Sequence, residues 1–288
     1  MRIVRTAMAE QHLKAVIVKV TVDGRQIVRR AVGESMTGVP ARADMHFRNG
    51  AVAISYVANL LLQLVDEHKL SLDDKLSKYL PGVPNADKVT LEQLARMTSG
   101  YADYVQQPAF ISAFLTDPFR SFTTGQLLSY AVTKPLLYKP GTNWSYAHTN
   151  YILLGLAIEK ATGRRMVALM RDKVLGPMGL HDTTDPQSPQ IPAPALHSFD
   201  SERRAFLRVP KGKPFYEESS FWNPSWSITR GAIQTTNIDD LTATAAAVGT
   251  GKLLSKASYR TMTVPTMRGF GHPQPNCPTC AKQTESYT

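Results

Sequence analysis

Apolar and polar positions along the chain predict one strand pair followed by a long series of helices. Residues Ala15 to Val22 alternate as a strand does, Asp23-Gly24 supplies a two-residue turn, and Arg25 to Val32 returns, which predicts a β-hairpin over 15–32. Ahead of it, Arg5 to Leu13 reads as a short helix. Ala51 to His68 is apolar on nearly every face, the pattern of a buried central helix. Ser71 to Leu80 predicts a short amphipathic turn of helix, stopped by Pro81-Gly82. Thr90-Leu91-Glu92-Gln93 has capping-box form and starts a helix through Arg96.

Further on, Asp103 to Pro140 alternates helix signals with Pro and Thr punctuation. Tyr151 to Thr162 is a strongly apolar helix ended by Gly163, and Met166 to Leu175 is another, stopped at Gly176-Pro177. Asp185 to Trp226, rich in Pro, Ser and aromatics, predicts long irregular structure. Ile238 to Val248 is an alanine-rich helix, and Gly249-Thr250-Gly251 is its end and a turn. No internal repeat or flexible linker interrupts this series. A single domain over 1–288 is therefore expected, with a hairpin at 15–32, a helical region at 51–260 and an irregular tail at 261–288.

Composition narrows the class. Of 288 residues 43% are apolar and 19% charged, enough apolar chain to bury a core and too much for a mostly disordered protein. No apolar run reaches the length of about 18 residues that a membrane span requires. The nearest, Ala51 to Val65, is interrupted by Ser55, Asn59 and Gln63. The start Met1-Arg2-Ile3-Val4-Arg5 has no apolar run behind it, so no signal peptide is expected in the chain as written. A net charge of +10 raises the question of nucleic acid. The basic residues come as scattered pairs (Arg29-Arg30, Arg164-Arg165, Arg203-Arg204) without a dense run or an aromatic RNA-binding motif. A solvated basic surface is the expectation, with no nucleic-acid partner; weak attraction to an anionic polymer or membrane surface fits the same charge.

Metal and redox chemistry find little support. The histidines at 12, 46, 68, 148, 181, 197 and 272 show no ligand spacing. Cys277 and Cys280 sit in a turn-rich tail rather than at a strand-to-helix junction, so a local disulfide or two idle thiols is expected. The G-x-S-x-G, H-E-x-x-H and phosphate-loop signatures are absent.

One resemblance is specific. Phe47-Arg48-Asn49-Gly50-Ala51-Val52-Ala53-Ile54, the stretch Leu60 to Leu80, and Val89 to Tyr104 (V-T-L-E-Q-L-A-R-M-T-S-G-Y-A-D-Y) are similar to the serine β-lactamase-related family of class C β-lactamases, D-Ala-D-Ala carboxypeptidases and esterases. The likeness continues through Pro140 to Tyr146, Tyr151 to Gly163, Gly176 to Leu180 and Gly231 to Ser255, in family order over most of 15–260. It implies an α+β, β-lactamase/transpeptidase-like fold, with the N-terminal hairpin set on a mostly helical domain. It also implies attack of a serine on an amide or ester carbonyl, and no cofactor. The ligands it implies are small acyl-peptides, esters or β-lactam-like compounds, and the compartment is commonly outside the cytoplasm.

The family's reaction rests on three motifs, and this chain departs from each. In S-x-x-K the serine is the nucleophile and the lysine helps take its proton. The alignment of Phe47-Arg48 puts Ala51 at the serine position and Ile54 at the lysine position. Two apolar residues there predict a site converted to packing, and a catalytically impaired chain. Ser55 is a slipped alternative to the nucleophile; Ser99 and Ser145 are further hydroxyls, each expected to serve a cap or turn. In Tyr-x-Asn, Tyr146 matches and His148 replaces the asparagine. These two side chains either bind or polarise a carbonyl, or are a half-buried aromatic and a helix cap. The third motif, K-T-G or H-x-G on a C-terminal strand, is missing, so the C-terminal sheet strands are expected to be missing from this chain. The hairpin edge is then open, leaning on helices or pairing with another chain as an oligomer. A weak hydrolase using other groups, and a non-catalytic binding protein of the cell envelope, are the alternatives.

Overall fold

Asp23 and Gly24 take φ of 51° and 75°, the doubly positive turn whose twist matches that of paired strands. The computed structural model describes residues 1–185, 188–264, 266–277 and 280. Helix α1 (Arg2–Glu10) begins three residues before the expected start, and His12, at φ 53°, turns the chain out of it ahead of the first strand. Strand β1 (Ala15–Val22) pairs antiparallel with β2 (Arg25–Met36), from Ala15 opposite Gly33 to Val22 opposite Arg25. β2 outruns its expected end at Val32, with Glu34 N on Lys14 O and pairing to the next strand beyond; Gly33 passes so close to Lys14 that a Cβ there would lie 2.0 Å from that carbonyl oxygen. Beyond it the chain turns at Thr37-Gly38 into β3 (Val39–Pro40), giving the order β1-β2-β3. Among the described residues β1 pairs with β2 alone, and it packs against α1 and the later helix α9 (Ile238–Gly249). Lys19 and Arg29 fasten the hairpin to Asp239 of α9 at 2.6 and 2.7 Å.

Strand β4 (Phe47–Arg48) leads into α2 (Val52–Asp66), which buries Ala53, Tyr56, Val57, Asn59, Leu60, Leu61, Leu62 and Leu64 on most of its faces. At roughly 2 kcal/mol for each large apolar side chain removed from water, this helix organises the main core. The expected helix over Ser71 to Leu80 is only a 3-10 turn at Leu76–Lys78; the Asp74 carboxylate takes hydrogen bonds from Ser71 N, Lys78 and Tyr79, which holds the segment as a tight loop. Helix α3 (Leu91–Ala95) has the predicted capping box, with Gln93 N on Thr90 Oγ1 at 3.2 Å and Thr90 N on Gln93 Oε1 at 3.0 Å.

Helices α4 (Pro108–Thr116) and α5 (Thr124–Ser129) follow. With Tyr104, Phe122 and Trp222 they form a second, aromatic core. Helix α6 (His148–Thr162) starts three residues before the expected Tyr151 and ends, as expected, on Gly163 at φ 66°. The run expected as one helix stopped at Gly176-Pro177 instead passes through α7 (Met166–Leu169), a π-helical stretch Met170–Leu175 and α8 (Gly176–Met178). Helical backbone thus runs on through Gly176-Pro177 to Met178 and ends on Gly179 at φ 80°.

The irregular stretch is borne out over its described part: it contains only the two-residue strands β5 (Phe199–Asp200) and β6 (Glu217–Glu218), which pair, and short 3-10 turns. Strand β7 (Thr235–Thr236) pairs with β4. Helix α9 is capped by Asn237 Oδ1, which accepts from the amides of Asp239 and Asp240. An unanticipated α10 (Lys256–Thr263), capped by Ser255, crosses the expected boundary at 260. The tail beyond docks through buried Asn143, whose amide donates to His272 O and whose carbonyl accepts from Gly271 N and His272 N. Cys277 and Cys280 are joined in a disulfide, the first of the two expected states. Residues 265, 278, 279 and 281–288 of the expected tail lie outside the described residues. Among those described, no helix is long and apolar enough to cross a membrane.

Candidate functional site

The loop before α4 is shaped by one glycine and fastened to α6 by two side chains. Gly100, at φ 84°, turns where a Cβ would meet Tyr138 O at 2.4 Å, so only glycine fits. Ser99 Oγ donates to Asn150 Oδ1 at 2.5 Å and accepts from Tyr101 N. Thr149 Oγ1 donates to Ala102 O and accepts from Tyr104 N. Ser99 is thus a fully buried turn hydroxyl, as expected.

This stitching brings Asp103 over the N-terminus of α6. Its buried carboxylate accepts from the backbone amides of His148 (3.1 Å) and Val105 (3.2 Å), and lies 3.1 Å from His148 Nδ1. Facing a carboxylate, Nδ1 acts as the donor, which assigns the lone pair of the neutral ring to Nε2. A cap role was one expectation for His148. The finding is different: Asp103 supplies the cap, and His148 is the first helical residue.

Aromatic rings surround the imidazole. Tyr146 stands edge-on to His148 at 5.1 Å between centroids, Tyr104 is at 5.9 Å and Trp226 at 6.0 Å. Burial pushes the Tyr104 phenol well above its usual range, with the charges of Asp103 and Tyr146 adding to it. It therefore stays protonated and donates to the carbonyls of Trp226 and Ser227, which holds Trp226 in place.

The other predicted positions lie on α2. Ala51 is its N-terminal flanking residue and is exposed, while Ile54 is half-buried and borders the main core. The expectation that both had become packing thus holds for Ile54 and fails for Ala51. The first amides of α2 are satisfied by local carbonyls, Val52 N on Asn49 O, Ala53 N on Gly50 O and Ile54 N on Ala51 O, and this short-turn start leaves the residue-51 side chain outside. Ser55 Oγ donates to Val52 O at 2.7 Å, one turn back in its own helix. Ser145 is buried, with its amide on Met97 O.

Tyr146 and His148 are therefore brought together, and Asp103 joins them. Asp103 lies within the T-S-G-Y-A-D-Y stretch, and nothing local marks its role, because the contact spans 45 residues. Arg48 was also missed. From β4 its guanidinium donates to the carbonyls of Pro189, Ser220 and Trp222, and burial lowers its pKa. Among the described residues no three His, Cys, Asp or Glu side chains gather as metal ligands would.

Two cavities lie nearby. A smaller one of about 180 Å³ is bordered by Arg165, Asp185, Ser225 and Arg230. A larger one of about 400 Å³ is bordered by Trp226, whose ring also faces His148.

With this geometry in hand, comparison with known proteins gives a consistent set. The Beta-lactamase family matches residues 1–276. Penicillin-binding protein 4 of Amycolatopsis lactamdurans is 32% identical over 194 residues, 65% of this chain and 47% of that protein. The D-alanyl-D-alanine-carboxypeptidase/endopeptidase AmpH of Escherichia coli K12 is 32% identical over 177 residues, 59% of this chain and 45% of its own. The chain thus spans about half the length of the curated relatives it matches. Among solved structures, a D-stereospecific amidohydrolase from Streptomyces sp. superimposes with a TM-score of 0.77 at 28% identity, covering 88% of this chain and 73% of that one. The expected β-lactamase/transpeptidase-like fold is therefore the observed one.

Proposed function

The chain belongs to the β-lactamase family, and from that premise we propose that it is a member without acyl-serine chemistry, which binds small acyl-peptide, amide or ester ligands around Tyr146 and His148. The relatives' activities, a carboxypeptidase/endopeptidase and a D-stereospecific amidohydrolase, support the ligand class. The observation that carries the reading is Ala51, exposed at the start of α2 with no nucleophilic atom, with apolar Ile54 one turn on. Loss of a serine hydrolase's nucleophile or base costs about 10⁶ in turnover. The roughly 10³–10⁴ that remains over water comes from binding and oxyanion contacts. Binding thus outlives chemistry.

The test is labelling of the purified chain with a fluorescent penicillin and a fluorophosphonate, beside competition binding of unlabelled ligand. Saturable, non-covalent binding without a covalent adduct is the expected result. A covalent label mapped to any serine of the native chain would overturn the reading.

One observation favours a second reading, a weak hydrolase. The His148–Asp103 pair has the geometry of an oriented general base. In that reading His148 Nε2 takes a proton from water as the water oxygen attacks an ester carbonyl, and the proton passes on to the leaving alkoxide. Slow ester turnover that disappears in His148→Gln, with no covalent label, identifies it.

A further inference from the structure

Trp226 is shared between the ring cluster at His148 and the 400 Å³ cavity, whose character differs from that of the proposed ligand cleft. Phe110, Phe114, Trp222 and Trp226 line it, with Arg48, Asp200 and Glu202 among its polar members. Its volume is within the range of small-ligand sites, ~300–1,000 Å³, and so is its make-up of mostly apolar walls with a few polar groups.

The aromatic walls are braced before any ligand arrives. Phe110 stacks on Phe114 at 5.9 Å, and Phe114 meets Trp222 and Trp226 edge-on at 5.6 and 5.3 Å. Rings fixed by each other keep their remaining faces available for a further aromatic group at little ordering cost.

Charge selects the other half of the ligand. In a chain of net charge +10, this wall is acidic. Asp200 is half-buried and Glu202 exposed, and neither is ion-paired among the described residues. Asp200 sits opposite Glu217 across β5 and β6; Arg203 pairs with one oxygen of Glu217, while the other is buried with no hydrogen-bond partner. Although the residue is largely exposed, partial desolvation of its carboxyl, with the charge of Asp200, raises the pKa of Glu202. A cation placed there relieves that repulsion. Arg48 is the one cation among these lining residues, set against two carboxylates, and its Nη2 is directed away to the main-chain carbonyls of Pro189, Ser220 and Trp222.

We infer that this cavity binds a small arylalkylammonium ligand, its ring against Phe114, Trp222 and Trp226 and its ammonium on Asp200 and Glu202. This goes beyond the reading of Tyr146 and His148 and depends on neither of them. A ligand seated there would press on the face of Trp226 that lines the cavity, and so adjoin the ring wall of His148.

Calorimetric titration of the full chain with phenethylamine and with phenylacetate at neutral pH tests it. Phenethylamine is expected to bind saturably at one site, and the Asp200→Asn/Glu202→Gln variant to bind it about tenfold more weakly. Both substitutions are at non-core positions, and an unchanged melting temperature confirms the fold. Phenylacetate binding as well as phenethylamine, or no loss in the double variant, overturns the inference. Penicillin competition run in parallel keeps the two sites apart: phenethylamine binding that survives while penicillin binding is absent sinks only the family cleft.

Discussion

His148 Nδ1 lies 3.1 Å from one carboxylate oxygen of Asp103 while the backbone N–H of the same histidine donates to the other at 3.1 Å. One buried side chain thus starts a fifteen-residue helix and orients the ring at its first position. The two roles are coupled: any ligand that pulls on the imidazole works against the cap.

Replacing Asp103 separates those roles. Asp103→Ala leaves the amides of His148 and Val105 without their acceptor and removes the partner of the ring. A loss of about 2–3 kcal/mol is expected, from a lost cap together with buried unsatisfied donors. Asp103→Asn keeps one acceptor oxygen and is expected to cost about half as much. Urea unfolding of the three proteins checks this. Equal losses for both variants would mean that the carboxylate holds the helix by charge alone.

The exposure of Ala51 makes its substitution mild. Ala51→Ser adds a hydroxyl at an exposed position and is expected to change stability by less than about 0.5 kcal/mol. Ile54→Lys brings an ammonium to the border of the main core and is expected to cost about 1–3 kcal/mol. Neither single variant is expected to label with penicillin, since the serine needs its base and the base its serine. A stable, covalent adduct on Ala51→Ser alone would show that the remaining groups already activate a nucleophile there.

Acid should loosen the hairpin. The hydrogen bond from Arg29 holds the Asp239 carboxyl below the usual carboxylate range; burial opposes it, and Lys19 adds to it. A group whose folded-state pKa is depressed contributes stability above its unfolded value, about 3.9, and loses it as pH falls through the folded value. Asp239 is 40% exposed, so solvent screening keeps the contribution below about 1 kcal/mol. Wild type is expected to melt above Asp239→Asn at pH 7, with the gap closing below pH ~4. A gap that keeps its pH 7 size however far the pH falls below about 3.9 would assign the effect to the neutral hydrogen bonds instead.

What could be read from the sequence was local. The Asp-Gly turn and the Thr90 capping box involve residues two or three positions apart, and both form as their side chains dictate. The second capping box, Thr123 with Gln126, is of the same type, but it lies in the stretch from Asp103 to Pro140, where Pro and Thr punctuate the helix signals. The start of α6 lies three residues ahead of its sequence signal because its cap comes from Asp103, 45 residues upstream. Pro177 predicts a stop, but the helix runs through it by way of a π-helical stretch, which has no sequence pattern of its own. For Ala51 the resemblance implies only a position within the family's first motif. Its exposure depends on how α2 begins, and residue type alone does not carry that.

Gly155 shows the same limit in an interior residue and gives the sharpest packing test. In the middle of α6 a glycine is worth about 1 kcal/mol less than alanine, so Gly155→Ala would ordinarily stabilise. Here an ideal Cβ would lie 2.0 Å from Thr229 Oγ1 and 2.5 Å from its Cβ, and Thr229 is buried. Overpacking of that kind costs about 1–3 kcal/mol, which exceeds the helix gain, so Gly155→Ala is expected to destabilise. The clash belongs to the Thr229 side chain, Cβ included. Thr229→Ala should therefore relieve it only in part, and Thr229→Gly more completely. In a double-mutant cycle, Gly155→Ala with Thr229→Gly is expected to be more stable than the sum of the singles by at least about 1 kcal/mol. Additive losses in urea would mean that α6 and the 229 segment move apart freely, and the glycine would then have no packing reason to be there.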